Sequence, residues 1–435
     1  MASNKDRDLL CKVGPGTPMG EMLRQYWIPA LKSDEILKDG EPRRFMLLGE
    51  QLLAFRDTAG RVGVMDHRCP HRCASLFFGR NEEGGLRCVY HGWKFDVDGN
   101  CLDMANVPPH QDFKHKVHAK AYKARERNGL IWVYMGDQAK IPELPQIEAT
   151  LVAERDNHID MFMRECNWLQ ALEGDLDTSH VGFLHGGHRK AETYEQNDTL
   201  RYGALRRDPD YDLVETPWGA MYGAYRPAGE DNTYWRIGHH LHPFWAITPS
   251  APFGLQVYAR AWVPLDDTHT MSIRVVWKEG RLRGIRSETV NGATLGGDGL
   301  LPNTSDWLGR WRLKANKDND YLIDREMQRT QTYTGIRGIS EQDQCVTESM
   351  GPLTDWDFER LAPSDRMITA TRRRLMTALT NFQKGERPPL VDTPDVYYQA
   401  RGGYFEAPNG IAMTDLYPKK VEETRATIPY AVAAE

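Results

Sequence analysis

Two short pairs stand out by residue type and spacing: Cys69-Pro70-His71 and, sixteen residues further on, Cys88-Val89-Tyr90-His91. Thiolates and imidazoles carried on two such loops can converge on one metal centre. An asymmetric [2Fe–2S] cluster takes two thiolates on one iron and two imidazoles on the other, which suits loops that each supply one Cys and one His. Tetrahedral zinc accepts the same four groups, but zinc sites usually set Cys beside Cys and His beside His. The ligand pattern therefore favours the iron–sulfur centre and leaves zinc, in a binding or regulatory module, as the rival. Cys73 lies close to the first pair; with four ligands at hand, it is expected to be a small buried thiol.

A second constellation runs from Asn167-Trp168 through Asp177, His180 and His185. On a regular helix five residues rotate by about 140°, so the two histidines can face one point only if the helix ends or bulges between them, for instance at Gly182. Asp177, three residues before His180, can neighbour it on a helical turn and orient its ring. Two histidines and a carboxylate make the facial arrangement of non-haem Fe(II) oxygenases, with open positions for dioxygen. Taken alone, His-x4-His is a weak motif for which a pair of structural histidines is the better reading; the Cys/His pairs in the same chain reverse that balance, and a third ligand is needed.

The elements that must position these groups read as α+β. Thr17-Pro18 starts a helix running towards Trp27. Apolar runs from Phe45 to Phe55 around Gly49-Glu50, with a further run at 61–65, predict a meander of antiparallel strands from which the Cys/His loops grow. A hairpin turning at Asp98-Gly99 follows the second loop, and Arg127–Gly136 reads as a last strand before a linker at Pro142 and Pro145. Strands at 234–240, 254–263 and 270–277 predict a second antiparallel sheet. Residues 284–306, rich in Gly and polar residues, read as a mobile surface loop or a lid. Helices are expected near 320–332 and from Ser364, the latter with Ile368, Leu375, Met376 and Leu379 on one face, and the final fifty residues look irregular. The resulting division is a helical segment over 1–37, an all-β domain over 38–150 and a catalytic domain over 151–435.

Composition narrows the function. With 435 residues, 40% hydrophobic and 27% charged, the chain is long enough for two or three domains, and a net charge of -6 argues against nucleic acid as a partner. The opening residues carry no secretory pattern and no apolar stretch reaches the roughly 18 residues needed to span a bilayer, so a cytoplasmic protein off the membrane is expected. Seven cysteines in so long a chain do not make a disulfide framework.

Taken together, these segments resemble the oxygenase component of Rieske-type aromatic-ring-hydroxylating oxygenases, specifically the phthalate dioxygenase family of large subunits. The resemblance rests on Leu10-Cys-Lys-Val-Gly-Pro-Gly-Thr-Pro-Met-Gly20, both Cys/His pairs, Asn167 through His185, and Glu341-Gln342-Asp343 through Pro352. It implies a Rieske domain followed by a helix-grip-like catalytic domain. Cys69 and Cys88 would hold one iron of the cluster and His71 and His91 the other. His180, His185 and Asp343 would hold a mononuclear Fe(II), with Glu341 and Glu348 as alternatives to Asp343 in what residue type alone reads as a solvated acidic loop.

Further implications follow from the same resemblance. Asp177 matches a bridging aspartate that joins an iron histidine to a cluster histidine of the adjacent subunit, which implies a homo-oligomer of trimers or stacked trimers. Electrons from NADH would arrive through a separate flavin-containing reductase; no Gly-x-Gly-x-x-Gly between a strand and a helix is present in this chain. The implied reaction uses O2 to convert an aromatic carboxylate, a phthalate isomer or substituted benzoate, into a cis-dihydrodiol. A monooxygenase or demethylase acting on a substituted aromatic acid is the alternative, as is an electron carrier that has lost its catalytic iron. Arg207 is the expected carboxylate partner, with Ser179 donating a further hydrogen bond. Phe244 and Trp245 are expected to form an apolar wall in place of a second cation, which would favour a single carboxylate or carboxylates not adjacent on the ring.

Overall fold

The computed structural model describes residues 3–188, 190–195, 198–279, 289–290, 293–294 and 297–425. Its first half is built on two antiparallel sheets. β1 (Trp27–Lys32), β2 (Arg43–Leu47), β3 (Glu50–Arg56) and β4 (Val62–Asp66) are followed by the short strands β5 (Arg80–Glu82), β6 (Gly85–Arg87), β7 (Trp93–Phe95) and β8 (Cys101–Met104), then by β9 (Ala121–Arg127) and β10 (Leu130–Tyr134). The larger sheet runs β1-β10-β9-β4-β3-β2 and the smaller one β5-β6-β7-β8. Phe45, Leu47, Leu52 and Ala54 face the large core, while Leu53, Phe55 and Met65 on the other face pack in a second cluster, so β3 is buried on both sides.

Helices α1 (Asn4–Cys11) and α2 (Pro18–Leu23) precede these strands. The Thr17 hydroxyl caps α2 by accepting from Gly20 N–H at 3.2 Å, with Pro18 at the first helical position where its missing donor is harmless. The helix stops short of Trp27 because Trp27-Ile28-Pro29 leaves as β1, paired with β10. The segment 1–37 is thus split: α1 and α2 lie against helices of the second half, whereas β1 belongs to the first sheet, so residue 38 is no structural boundary.

The second half carries an eight-stranded antiparallel sheet of β11 (Asn157–Arg164), β12 (Asp210–Thr216), β13 (Gly219–Ala228), β14 (Asn232–Leu241), β15 (Trp245–Ile247), β16 (Tyr258–Pro264), β17 (Thr270–Trp277) and β18 (Gly403–Pro408), in the order β11-β17-β16-β15-β14-β13-β12 with β18 on β14. Against it pack α3 (Trp168–Leu176), α4 (Leu200–Leu205) and α7 (Arg366–Gln383); α6 (Ile339–Ser349) packs on α3, and α5 (Arg325–Thr330) and α8 (Met413–Arg425) are the other helices of this half. Among the described residues no helix is long and apolar enough to cross a membrane.

Several sequence expectations change here. Of the final fifty residues, expected to be irregular, 403–408 form β18 on the edge of β14 and 413–425 form α8, while 426–435 lie outside the described residues. The expected helix over 320–332 shrinks to α5: Asp320 and Tyr321 have φ of 49° and 53°, outside helical space, and the Asp324 carboxylate caps the later start. The acidic stretch 341–348 is not a solvated loop but lies on α6, with Glu341, Gln342, Gln344, Thr347 and Glu348 buried. Of the expected loop or lid over 284–306, residues 284–288, 291–292 and 295–296 lie outside the described residues. Its end is tied back by Leu301 N–H to Arg312 O at 2.8 Å.

A large core joins both halves, with Trp132 of β10 stacked on Trp245 of β15 at 5.8 Å. A smaller apolar cluster, including Phe55, Leu76, Leu86, Trp93 and Phe95, lies under the Cys/His loops. Two side-chain pairs are among the further ties between the halves. Trp307 packs edge-on against His67 with ring centres 5.0 Å apart, and Arg310 makes a two-pronged ion pair with Glu35 at 2.7 Å on both prongs.

Candidate metal centres and the adjoining cleft

Two matching loops project from the first half. In one, Cys69 N–H donates to Ala74 O at 2.8 Å and Cys73 N–H to Cys69 O at 2.8 Å; in the other, Cys88 N–H donates to Trp93 O at 2.8 Å and Gly92 N–H to Cys88 O at 3.0 Å. These bonds leave Cys69 and Cys88 buried side by side and bring the His71 and His91 rings to 4.4 Å, with His71 stacked on Trp93 at 4.3 Å. Burial pushes the Cys69 thiol up to about 12, with Cys88 adding to the effect, so two thiolates here call for a cation between them. His71 Nδ1 is buried and has no hydrogen-bond partner among the described residues, as expected of a nitrogen reserved for a metal. The donor set fits a [2Fe–2S] centre held at two sulfurs and two nitrogens. Cys73, expected to be buried, is exposed: its φ of 60° at the loop turn directs it outward.

The second centre forms where α3 ends. The Asn167 side chain caps α3 by accepting from Leu169 N–H at 2.9 Å, and the helix stops at Leu176, before both histidines rather than between them. His180 to Gly182 then form a single tight turn, and this break lets two side chains five residues apart converge. Ligand atoms of His180, His185 and Asp343 all lie within 4.8 Å of one another. Asp343 Oδ1 is 3.6 Å from His180 Nε2 and 3.1 Å from His185 Nε2. Each ring is oriented from behind: Asp177 Oδ2 is 3.4 Å from His180 Nδ1, and Gln342 Oε1 accepts from His185 Nδ1 at 2.7 Å. Burial works against ionisation of Asp343, yet His185, His180 and the Arg164 guanidinium hold its carboxyl well below the usual carboxylate range. Burial lowers His180 as well, but Asp177 and Asp343 outweigh it and raise the ring above its ordinary value. Two imidazoles and a carboxylate brought together in this way suit a divalent iron.

Beside His180 opens a cleft with about 510 Å³ of empty space, whose lining includes Thr178, Gly182, Arg207, Tyr234, Arg226 and Arg236. In the pairing of β13 with β14, Tyr222 faces Gly238, Ala224 faces Arg236 and Arg226 faces Tyr234, so both arginines stand on one face among small residues. A Cβ on Gly238 would come within 2.4 Å of the Tyr222 hydroxyl; glycine there makes space for that buried ring between the strands. Among the described residues, none of Arg207, Arg226 and Arg236 has a carboxylate partner. Burial, with Arg236 alongside, brings the Arg226 guanidinium down to about 10. Arg226 spends its Nε and Nη2 on the carbonyls of Arg206 and Arg207 at 2.6 and 3.2 Å, whereas Arg236 Nε reaches Thr178 Oγ1 at 3.4 Å.

The sequence reading anticipated Arg207 but not Arg226 or Arg236, although a basic residue on the small-residue face of an apolar strand was a usable signal. Arg207 is half-buried and donates to Tyr333 OH at 2.9 Å and Gly187 O at 3.2 Å, so it also braces the loop after His185. Ser179 is occupied otherwise than expected: its hydroxyl donates to Asp177 Oδ1 at 2.6 Å. Phe244 and Trp245 form no wall here; they are 0% and 2% exposed and pack on the first half, where Trp245 meets Trp132.

Comparison with known proteins adds the family. A model of the Rieske [2Fe-2S] domain matches residues 26–119 and one described as "LigXa C-terminal domain like" matches residues 133–396. The chain is 46% identical to the 3-chlorobenzoate-3,4-dioxygenase oxygenase subunit of Comamonas testosteroni, over 97% of this chain and 99% of that one. It is 36% identical to the phthalate 4,5-dioxygenase oxygenase subunit of Pseudomonas putida, over 89% and 88% of the two chains. Among solved structures, the NdmA QL mutant of Pseudomonas putida CBB5 with theobromine shares the fold at a TM-score of 0.55 and 18% identity, covering 87% of this chain and 96% of that one.

Proposed function

Because the chain belongs to the Rieske-type aromatic-ring-hydroxylating oxygenases, as an oxygenase subunit fed with electrons by a separate reductase, we propose that it oxidises an aromatic carboxylate, a phthalate isomer or a substituted benzoate, to a cis-dihydrodiol. The observation that carries the substrate class is the cleft next to His180, where three arginines lack an acidic partner among the described residues. A carboxylate on the ring satisfies that charge, and guanidinium groups bind carboxylates in two-pronged fashion.

In this reading Cys69, Cys88, His71 and His91 hold the Rieske cluster, and His180, His185 and Asp343 hold the mononuclear Fe(II). When bound, the cluster supplies single electrons and the iron supplies activation of dioxygen. The chain's own residues do the rest. Arg236 takes the substrate carboxylate, with Arg207 as its second cation, and Arg226 fixes the Arg207 backbone. Gly182, Gly203 and Ala204 of the cleft lining leave room for a flat ring. Asp177 accepts the Nδ1 proton of His180 and, in a trimer or stacked trimers, faces a cluster histidine of the next copy. The five cysteines outside the cluster form no disulfide, which supports work in a reducing compartment, the cytoplasm.

The test is oxygen uptake with a suitable NADH-dependent reductase across the benzenedicarboxylates, substituted benzoates and their methyl esters, with product identification. At least one free acid should be turned over while its ester is not. Arg236→Met should raise KM for that acid by about 10- to 150-fold, the equivalent of losing a charge-assisted hydrogen bond of roughly 1.5–3 kcal/mol. Equal turnover of acid and ester, or an unchanged KM, would sink the carboxylate reading. Asp343→Ala should abolish oxygen consumption while leaving the cluster reducible.

A further inference from the structure

Beneath the His180–His185–Asp343 group, β11 carries Arg164, a guanidinium only 1% exposed. Its Nε and Nη2 have no hydrogen-bond partner among the described residues, and Nη1 makes one long bond of 3.4 Å to Thr347 Oγ1. A charge this deeply buried is expensive unless it is compensated. The Trp262 ring face, 4.5 Å away, offsets part of the penalty. The neighbouring Arg260 is already matched by Asp175 at 2.6 Å. The anion left for Arg164 is Asp343, whose Oδ2 lies 3.9 Å from Nη2.

The two oxygens of Asp343 are therefore divided: Oδ1 faces both histidine Nε2 atoms, and Oδ2 faces Arg164. A carboxylate can hold a metal through one oxygen or both, and the second mode uses up a position that dioxygen or substrate needs. We propose that Arg164 is a positioning residue that keeps Asp343 a one-oxygen ligand by holding Oδ2 away from the metal. This inference rests on the reading that these three residues hold the iron. The division of labour matches the other two ligands, each also held from behind by a polar partner, Asp177 for His180 and Gln342 for His185.

The experiment compares the cluster-loaded wild type with Arg164→Met, which keeps an apolar stem against Trp262 without the charge, and Arg164→Lys, which restores a cation. Total iron is measured, and nitric oxide is titrated into the anaerobic ferrous protein while the mononuclear-iron signal is followed by electron paramagnetic resonance. In Arg164→Met the third iron should be retained but nitric oxide affinity should fall tenfold or more with a changed signal shape; Arg164→Lys should recover most of the wild-type signal. Should Arg164→Met fail to fold, Arg164→Gln carries the same readout. Retained iron with unchanged nitric oxide affinity and signal shape overturns the proposal, since a residue that only fills the core would give that result. Asp343→Ala separates the underlying reading. If that variant keeps the third iron, the ligand assignment falls and the proposal with it. If it loses the iron while Arg164→Met behaves as wild type, only the proposal falls.

Discussion

Acid should unfold this protein through β14. His239 and His240, next to one another on that strand, are both fully buried, and burial brings each ring from an ordinary 6.5 down to about 4. His239 accepts from Trp218 Nε1 at 3.1 Å and donates through Nε2 to Arg401 O at 2.8 Å, while His240 Nε2 donates to Pro243 O at 3.0 Å, with Arg374 opposing and Glu215 favouring its charge. Both rings are neutral in the folded state. The unfolded chain binds protons below the ordinary value, so their contribution is fully present at neutral pH and falls as pH drops from 6.5 towards 4. At about 1.4 kcal/mol per unit, each group costs about 2 kcal/mol at roughly pH 5, or about 4 kcal/mol for the pair. Urea unfolding at about pH 7 and pH 5 should show a midpoint loss that shrinks by that amount in the His239→Gln/His240→Gln double variant. An identical loss in the double variant would refute the argument, because the pH sensitivity would then reside elsewhere.

Gln342→Leu should remove the acceptor that fixes the His185 tautomer and weaken Fe(II) binding at the mononuclear site by about 10- to 100-fold in a metal titration, with cluster content unchanged. Arg372→Met should lower stability by about 3–5 kcal/mol in chemical unfolding. It breaks a buried network in which Arg372 pairs with Glu173 at 2.6 and 2.7 Å and with Glu359, leaving Glu173 buried and uncompensated. Asp177→Asn should leave the cluster spectrum intact but slow single-turnover electron delivery to the mononuclear iron; an unchanged rate would remove Asp177 from that path.

The sequence spoke most clearly where chemistry is local. Each Cys/His pair lies within one loop, so residue type and spacing reveal it without knowledge of the fold. The meander from Arg43 to Asp66 was equally legible because short apolar runs flank the turn at Gly49-Glu50, and runs of that length pair as strands. Asp343 was a different case: it lies on α6, far along the chain from the histidines it meets, and only a family pattern singled it out. Arg236 and Arg164 were missed because their roles depend on which strand face meets the cleft or the Asp343 carboxylate. The misplacements share that cause. Phe244 and Trp245 are apolar enough for a pocket wall, but β15 turns them towards Trp132. Ser179 stands beside His180 in sequence, yet its hydroxyl is closer to Asp177.

The Trp307 contact on His67 and the Arg310–Glu35 pair act as rivets between the cluster-bearing half and the rest of the chain. A redox module fastened in this way does not shuttle like a tethered carrier on a swinging arm. The placement of the cluster loops against the rest of their own chain is settled when the polypeptide folds, so turnover should be indifferent to solvent viscosity.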